Sequence, residues 1–231
     1  MKKILFVCHG NICRSPMAEF YMKDLLERAG LAGAFLVDSA ATSDEELGNP
    51  VYPPVRALLA QKGIDCAGKS ARQLGAADYA DFDLLVGMDE ENMKNLRRRF
   101  GDDPADKLRL LLDFAGRPGR SVADPWYTRR FEKAWDDVCE GCRGLLEALT
   151  GAKLLDFIGC ERREELYAVL RRAMGWQDWY GENLDALWDV LTGLPHEGER
   201  FTIALPRESS PVRDYAEKIR GVFREAGLLA E

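Results

Sequence analysis

The stretch Ile4-Leu5-Phe6-Val7-Cys8-His9-Gly10-Asn11-Ile12-Cys13-Arg14-Ser15-Pro16-Met17-Ala18-Glu19-Phe20 decides the fold. A short apolar, β-type run ends in a small, polar turn, and a helix then starts with Pro16 near its first position. Strand, loop and helix recur downstream. Residues 35–39 and 84–87 read as buried strands and 107–112 as a further short one, with helices at 55–61 and 90–99. Such alternation predicts an α/β fold with a parallel sheet flanked by helices. Phe131, Trp135, Val138, Cys142, Leu145 and Leu149 then keep to one face of a long helix over 128–149, which closes the layer.

Thr150-Gly151-Ala152 stops that helix, and a domain boundary follows, with 1–150 as one domain and 153–231 as a second, small α/β domain. The second reads as a strand at 154–158, helices at 164–174 and 183–191, a strand at 201–205 and a helix at 212–226. The length of 231 residues, at roughly 150 per domain, accommodates both. Residues that are 46% apolar and 31% charged describe an ordinary globular chain, not a disordered or fibrous one. A formal charge of −7 disfavours nucleic acid as partner and favours a basic one. Six cysteines fall far below the density of a disulfide scaffold, so reduced thiols and a cytoplasmic location are expected. The N-terminal apolar run breaks at Cys8-His9-Gly10-Asn11, too early for a signal peptide, and no apolar stretch approaches the roughly 18 residues of a membrane span.

Cys8 closes a strand, and Arg14 follows it across the loop at the start of a helix. A loop of this kind turns backbone N–H groups inward at a helix N-terminus, which is an anion site before any side chain is added. The helix end and Arg14 favour a thiolate at Cys8, and the guanidinium is able to grip two phosphate oxygens at once. Phosphoryl transfer to sulfur follows from that chemistry. The plain alternative is a buried structural cysteine near an arginine that caps something else. Asp124, followed by Pro125 and by the aromatics Trp126 and Tyr127 that are able to wall a cleft, is a candidate carboxyl for that phosphoryl transfer, the alternative being a turn Asp before Pro. Cys139 and Cys142 lie on a predicted helix with no second ligand pair, so no metal site is expected.

Val7 to Pro16 resembles the phosphate-binding loop of the low-molecular-weight protein tyrosine phosphatases. The resemblance continues through Asp38-Ser39-Ala40-Ala41-Thr42, Ala71-Arg72-Gln73, Met88-Asp89-x-x-Asn92 and Asp124-Pro125-Trp126-Tyr127. It implies a parallel four-stranded sheet, no metal or cofactor, and a phosphocysteine intermediate on a phosphotyrosine protein substrate. Cys8 would attack phosphorus, Arg14 and the loop from His9 to Cys13 would hold the phosphoryl oxygens, and Ser15 would donate to the departing thiolate. Asn11 and Ser39 would hold the loop in shape, Asp124 would act as acid and then base, and Cys13 would trap Cys8 as a reversible disulfide. Three departures bear on specificity. Asp44-Glu45-Glu46 makes the cleft mouth acidic, Lys69 stands where bacterial members often have His, and Ile12 stands where related arginine phosphatases have Thr, which argues for phosphotyrosine. A thioredoxin-coupled arsenate reductase would need shuttle cysteines near residues 80–95, and none is there.

In the second domain Asp178, Glu182, Asp185 and Asp189 recur at helical spacing among Trp176, Trp179, Tyr180 and Trp188, and 173–199 contains no Lys or Arg. An acidic stripe with aromatic anchors suits a cationic partner, the alternative being a solvated helix face. Trp179 to Gly193 closely resembles barstar, the intracellular inhibitor of a secreted ribonuclease, and Val222 to Ala226 resembles its later helix. The resemblance implies that Asp185, Asp189 and Glu225 face a basic ribonuclease, with Trp179, Asn183, Leu184, Trp188 and Gly193 packing around them. Leu194 replaces an expected aromatic, and the closing strand is expected to be missing. A competing reading of the whole chain is a binding protein in which the phosphatase domain is only a scaffold.

Overall fold

The computed structural model describes residues 1–101, 103–175, 181–194, 196 and 198–230. The chain divides into two compact units, Met1–Asp24 with Leu31–Leu145, and Leu25–Gly30 with Leu146–Glu231. In chain order come β1 (Lys2–Cys8), α1 (Arg14–Ala29), β2 (Phe35–Ala41), α2 (Pro53–Gln61), α3 (Asp78–Asp81), β3 (Leu84–Gly87), α4 (Glu90–Phe100), β4 (Leu108–Leu110), α5 (Pro125–Thr128) and α6 (Phe131–Thr150).

The four strands form one parallel sheet in the order β2-β1-β3-β4. Ile4 to Val7 are fully buried, as expected of a central parallel strand covered on both faces. Its register sets Cys8 opposite Ala41 and Val7 opposite Gly87. The order of winding reverses across the sheet between β1 and β3, and a crevice opens there at the carboxyl ends of the parallel strands. Cys8 therefore ends at the place where such sheets bind ligands.

On one face Met93 and Leu96 of α4 pack with Leu5, Val7, Leu85 and Leu110. Elsewhere Tyr21 of α1 meets Trp135 of α6 edge-on at 5.2 Å between ring centres. Gly144 of α6 lies so close to the 111–115 turn that a Cβ there would fall 2.0 Å from the Phe114 carbonyl oxygen, so only glycine fits. Two short helices, α3 and α5, have too few residues to show a period in sequence. The first helix also begins at Arg14, not beside Pro16, because the loop itself winds into the first turn; proline is accepted within that turn, where its missing N–H costs nothing.

The second unit contributes β5 (Lys153–Asp156), α7 (Arg163–Met174), α8 (Leu184–Gly193), β6 (Phe201–Ala204) and α9 (Arg213–Glu225), with β5 and β6 paired in parallel. Leu155, Phe157, Leu166, Tyr167, Leu170, Leu187, Leu191, Phe201, Ile203, Ile219 and Phe223 make its core. Where a closing strand is expected to be missing, the described residues of this unit hold no third strand, only one bridged residue. The Phe201 N–H donates to the Leu228 carbonyl at 2.8 Å and the Ala230 N–H to the Phe201 carbonyl at 2.9 Å, so a short segment pairs in parallel beside β6. At a single bridged residue it carries no alternation for a sequence reading to detect. No helix among the described residues is long and apolar enough to cross a membrane.

Candidate active site

Cys8 sits where β1 ends, and the loop that follows curls around its sulfur. The Asn11 N–H donates to Cys8 Sγ at 3.3 Å, and Ser15 Oγ lies 3.0 Å from it. Asn11 Nδ2 already donates to Ser15 Oγ at 3.0 Å, which leaves the Ser15 proton for the sulfur. Two hydrogen bonds therefore converge on the one sulfur.

The loop takes this shape because Asn11 holds a left-handed backbone, φ 57°, which asparagine tolerates better than most residues. Its side chain is enclosed and fully used. Besides Ser15, Nδ2 donates to Ser39 Oγ at 2.7 Å, and Oδ1 accepts from the Arg72 N–H at 3.1 Å. The Ser39 hydroxyl in turn donates to Glu19 Oε2 at 2.5 Å. Lys69, the residue singled out as a departure, ends this buried chain: Nζ lies 2.7 Å from Glu19 and 2.9 Å from Asp38. Burial alone would raise the Asp38 carboxyl, but Lys69 and Arg72 outweigh it and hold it below the usual range.

Arg14 is buried beneath a cavity of about 290 Å³. Its two terminal nitrogens reach Asp89 at 2.5 Å and Asp124 at 2.7 Å. Burial would lower the guanidinium, yet Cys8, Asp124 and Asp89 together raise it, so it stays a cation. Each carboxylate is aimed by a helix start. Asp89 caps α4 through the Asn92 N–H at 2.7 Å, and Asp124 caps α5 through the Trp126 N–H at 2.9 Å. Cys13 shares the loop and the cavity wall with Cys8. Burial, with the charges of Cys8 and Asp124 adding to it, pushes its thiol up to about 12.

Cys8, His9, Gly10, Ile12, Cys13, Arg14, Glu45, Asp124, Trp126 and Tyr127 line this cavity, while Asn11, Ser15 and Ser39 stand behind the loop. His9 Nε2 meets Glu45 at 3.0 Å across the rim. Gly10 admits Glu46, whose Cγ would be 2.9 Å from a Cβ at that position. Tyr127 is 82% exposed, and Trp126 leans on Tyr52 at 5.3 Å between ring centres. Glu46, expected at the acidic mouth, lines the cavity too, and so do Asp89, Glu91 and Asn92, which sequence reasoning did not place among the site residues. The signal was available: Asp89 before Glu90-Glu91 is a helix N-cap directly after β3, hence at the same sheet end as Cys8.

The profile of the low molecular weight phosphotyrosine protein phosphatase family matches residues 3–154. The chain belongs to this family. It is 38% identical over 156 residues to the low molecular weight protein-tyrosine-phosphatase YfkJ of Bacillus subtilis, covering 67% of this chain and 100% of that protein. The crystal structure of YfkJ covers 65% of this chain and 96% of its own, with a TM-score of 0.63. A Drosophila arginine phosphatase shares the architecture at 31% identity and a TM-score of 0.58, covering 64% of this chain and 98% of its own. The profile of barstar, the barnase inhibitor, matches residues 152–228, so a barstar-like domain follows the phosphatase domain.

Within the barstar-like domain Asp185, Trp188 and Asp189 are exposed on one face of α8, and Gly193 and Leu194 are exposed at its end. Glu225 is exposed at the last residue of α9, which packs against α8. Asn183 spends its side chain as the N-cap of α8, accepting from the Ala186 N–H at 2.8 Å. Leu184 packs partly against the core. Trp179 lies outside the described residues, as do Trp176, Asp178 and Tyr180. The unbroken acidic stripe needs correction: Glu182 pairs with Arg171 of α7, which stands just before the stretch that lacks cations. Among the described residues no cluster of three or more His, Cys, Asp or Glu is placed to hold a metal.

Proposed function

We propose that this protein hydrolyses phosphotyrosine through a phosphocysteine intermediate. The observation that carries the reading is Cys8 Sγ, with two donors on it, in a cavity it shares with Arg14 and Asp124. The substrate phosphate displaces Asp124 from Arg14, taking the guanidinium's N–H donors for its own oxygens. The freed carboxyl then stands over the leaving oxygen. Cys8 forms the S–P bond as the P–O bond to the phenol breaks, and protonated Asp124 gives its proton to that oxygen. Asp124, now a carboxylate, takes a proton from water as the water attacks phosphorus. The S–P bond breaks, the Ser15 hydroxyl stabilises the departing thiolate, and inorganic phosphate leaves.

The aromatic walls Trp126 and Tyr127 suit a phenyl ring, and the apolar Ile12 in the cavity wall favours phosphotyrosine over phosphoarginine. Turnover of aryl phosphates tests the reading. Asp124→Asn should lower kcat/KM, which reports the first step, little for p-nitrophenyl phosphate and by roughly 10²- to 10⁴-fold for phenyl phosphate, because only the poorer leaving group needs the proton, while kcat falls with the slowed hydrolysis of phosphocysteine common to both. An equal loss of kcat/KM on both substrates contradicts the role of Asp124.

The barstar-like domain offers a second activity, binding of a basic ribonuclease at the α8 face. Asp185 and Asp189 have no ion-pair partner among the described residues, and Trp188 stands 39% exposed between them. An unpaired acidic face with an aromatic anchor favours fast association with a cationic protein.

A further inference from the structure

We propose that the cavity walled by Thr42, Leu74, Asn95, Arg98 and Arg99 is a second anion site, built to take one phosphate group apart from the Cys8 loop. At about 170 Å³ it has room for a group of a few atoms, well short of what a drug-sized ligand fills. Its walls name the chemistry. Thr42 Oγ1 is buried and has no hydrogen-bond partner among the described residues, a state that buried hydroxyls rarely keep. An oxyanion lone pair would accept that proton.

The charge comes from α4. Arg98 donates only to the neutral Asn95 amide oxygen, at 3.0 Å, and Arg99 has no ion-pair partner among the described residues. Two guanidinium groups with no carboxylate partner among the described residues stand out in a chain of net charge −7. Cations in a last helical turn do complement the helix dipole, which accounts for Arg97-Arg98-Arg99 as a run. It does not account for the bare hydroxyl of Thr42 or for the cavity beside it. Guanidinium forks match tetrahedral oxyanions through parallel N–H donors, and Asn95 adds an amide. The site also touches the catalytic loop through the backbone, because the Thr42 N–H donates to the Cys8 carbonyl at 2.9 Å.

Phosphate also belongs in the Cys8 loop, so the test blocks that loop first, once by Arg14→Ala and once by alkylating Cys8 with iodoacetate in the full chain. Each protein is titrated with inorganic phosphate and, in a second arm, with a phosphoserine peptide, by calorimetry and phosphorus NMR. The same blocked proteins carrying Arg98→Gln and Arg99→Gln are run beside them; both side chains are exposed on α4, so the fold is kept. A phosphate site that survives both blocks and weakens by about tenfold or more in the Gln pair supports the proposal. Free phosphate binding assigns the site to the free anion, and binding of the peptide alone assigns it to protein-borne phosphate. Loss of all binding once the Cys8 loop is blocked, or residual binding indifferent to the Gln pair, overturns it.

Discussion

Asn11 is the residue on which the shape of the catalytic loop turns, and its removal has a size that follows from the geometry. Asn11→Ala deletes three side-chain hydrogen bonds, to Ser15, Ser39 and the Arg72 N–H, from a residue only 1% exposed. At about 0.5–1.5 kcal/mol for each neutral bond, the loss sums to about 1.5–4.5 kcal/mol. The left-handed backbone adds about 1 kcal/mol once a Cβ remains with no side-chain bond to hold it. Asn11→Gly loses the same bonds without that backbone cost, although its looser unfolded chain returns about 0.5–1 kcal/mol of the difference. The two variants should therefore be destabilised to similar degrees, glycine slightly less. Native-state hydrogen exchange of the β1 amides in the full chain reads this domain's stability. The kcat for p-nitrophenyl phosphate should fall in both variants, because Ser15 is no longer oriented toward sulfur. An Asn11→Ala protein within about 0.5 kcal/mol of the parent and with unchanged kcat would refute the reasoning.

Asp38 gives a pH signature. A carboxyl held low in the fold stabilises fully above its unfolded value of about 3.9, and that contribution is lost as pH falls through the folded value. Asp38→Asn should thus lower the urea midpoint at pH 7, with the gap to the parent closing below about pH 4; a gap that stays constant with pH contradicts the ion-pair account. On the barstar-like domain, Asp189→Ala should weaken binding of a basic ribonuclease by about 2 to 5 kcal/mol and reduce its salt dependence, a range taken from buried interfacial charge pairs. Calorimetry that detects no binding, or binding indifferent to Asp189 and to salt, leaves this face without a ribonuclease.

The sheet was legible because its strands are short apolar runs bounded by turns, and parallel burial leaves no other reading for Ile4 to Val7. The loop was legible through Cys8 and Arg14, whose chemistry needs that spacing. What escaped was long-range pairing. Glu19 and Lys69 come from distant parts of the chain and meet directly, Glu19 also accepting from Ser39, which in turn accepts from Asn11, and no local pattern announces such a chain. Arg171 reaches Glu182 from a neighbouring helix, so a stretch without cations in sequence is not without them in space. Asp89 was within reach of an N-cap argument, but its second oxygen on Arg14 is a property of the folded sheet end.

The central claim is that phosphorus passes through the sulfur of Cys8. Rapid acid quench of the full-length protein during turnover of p-nitrophenyl phosphate, followed by mass spectrometry of the peptide that contains residues 8–14, tests it most directly. The account predicts a phosphorylated peptide with the modification on Cys8, accumulating further in Asp124→Asn when hydrolysis is slowed, and absent in Cys8→Ser. Sustained turnover with no phosphorylated Cys8, or with the phosphoryl group on any other residue, would contradict it.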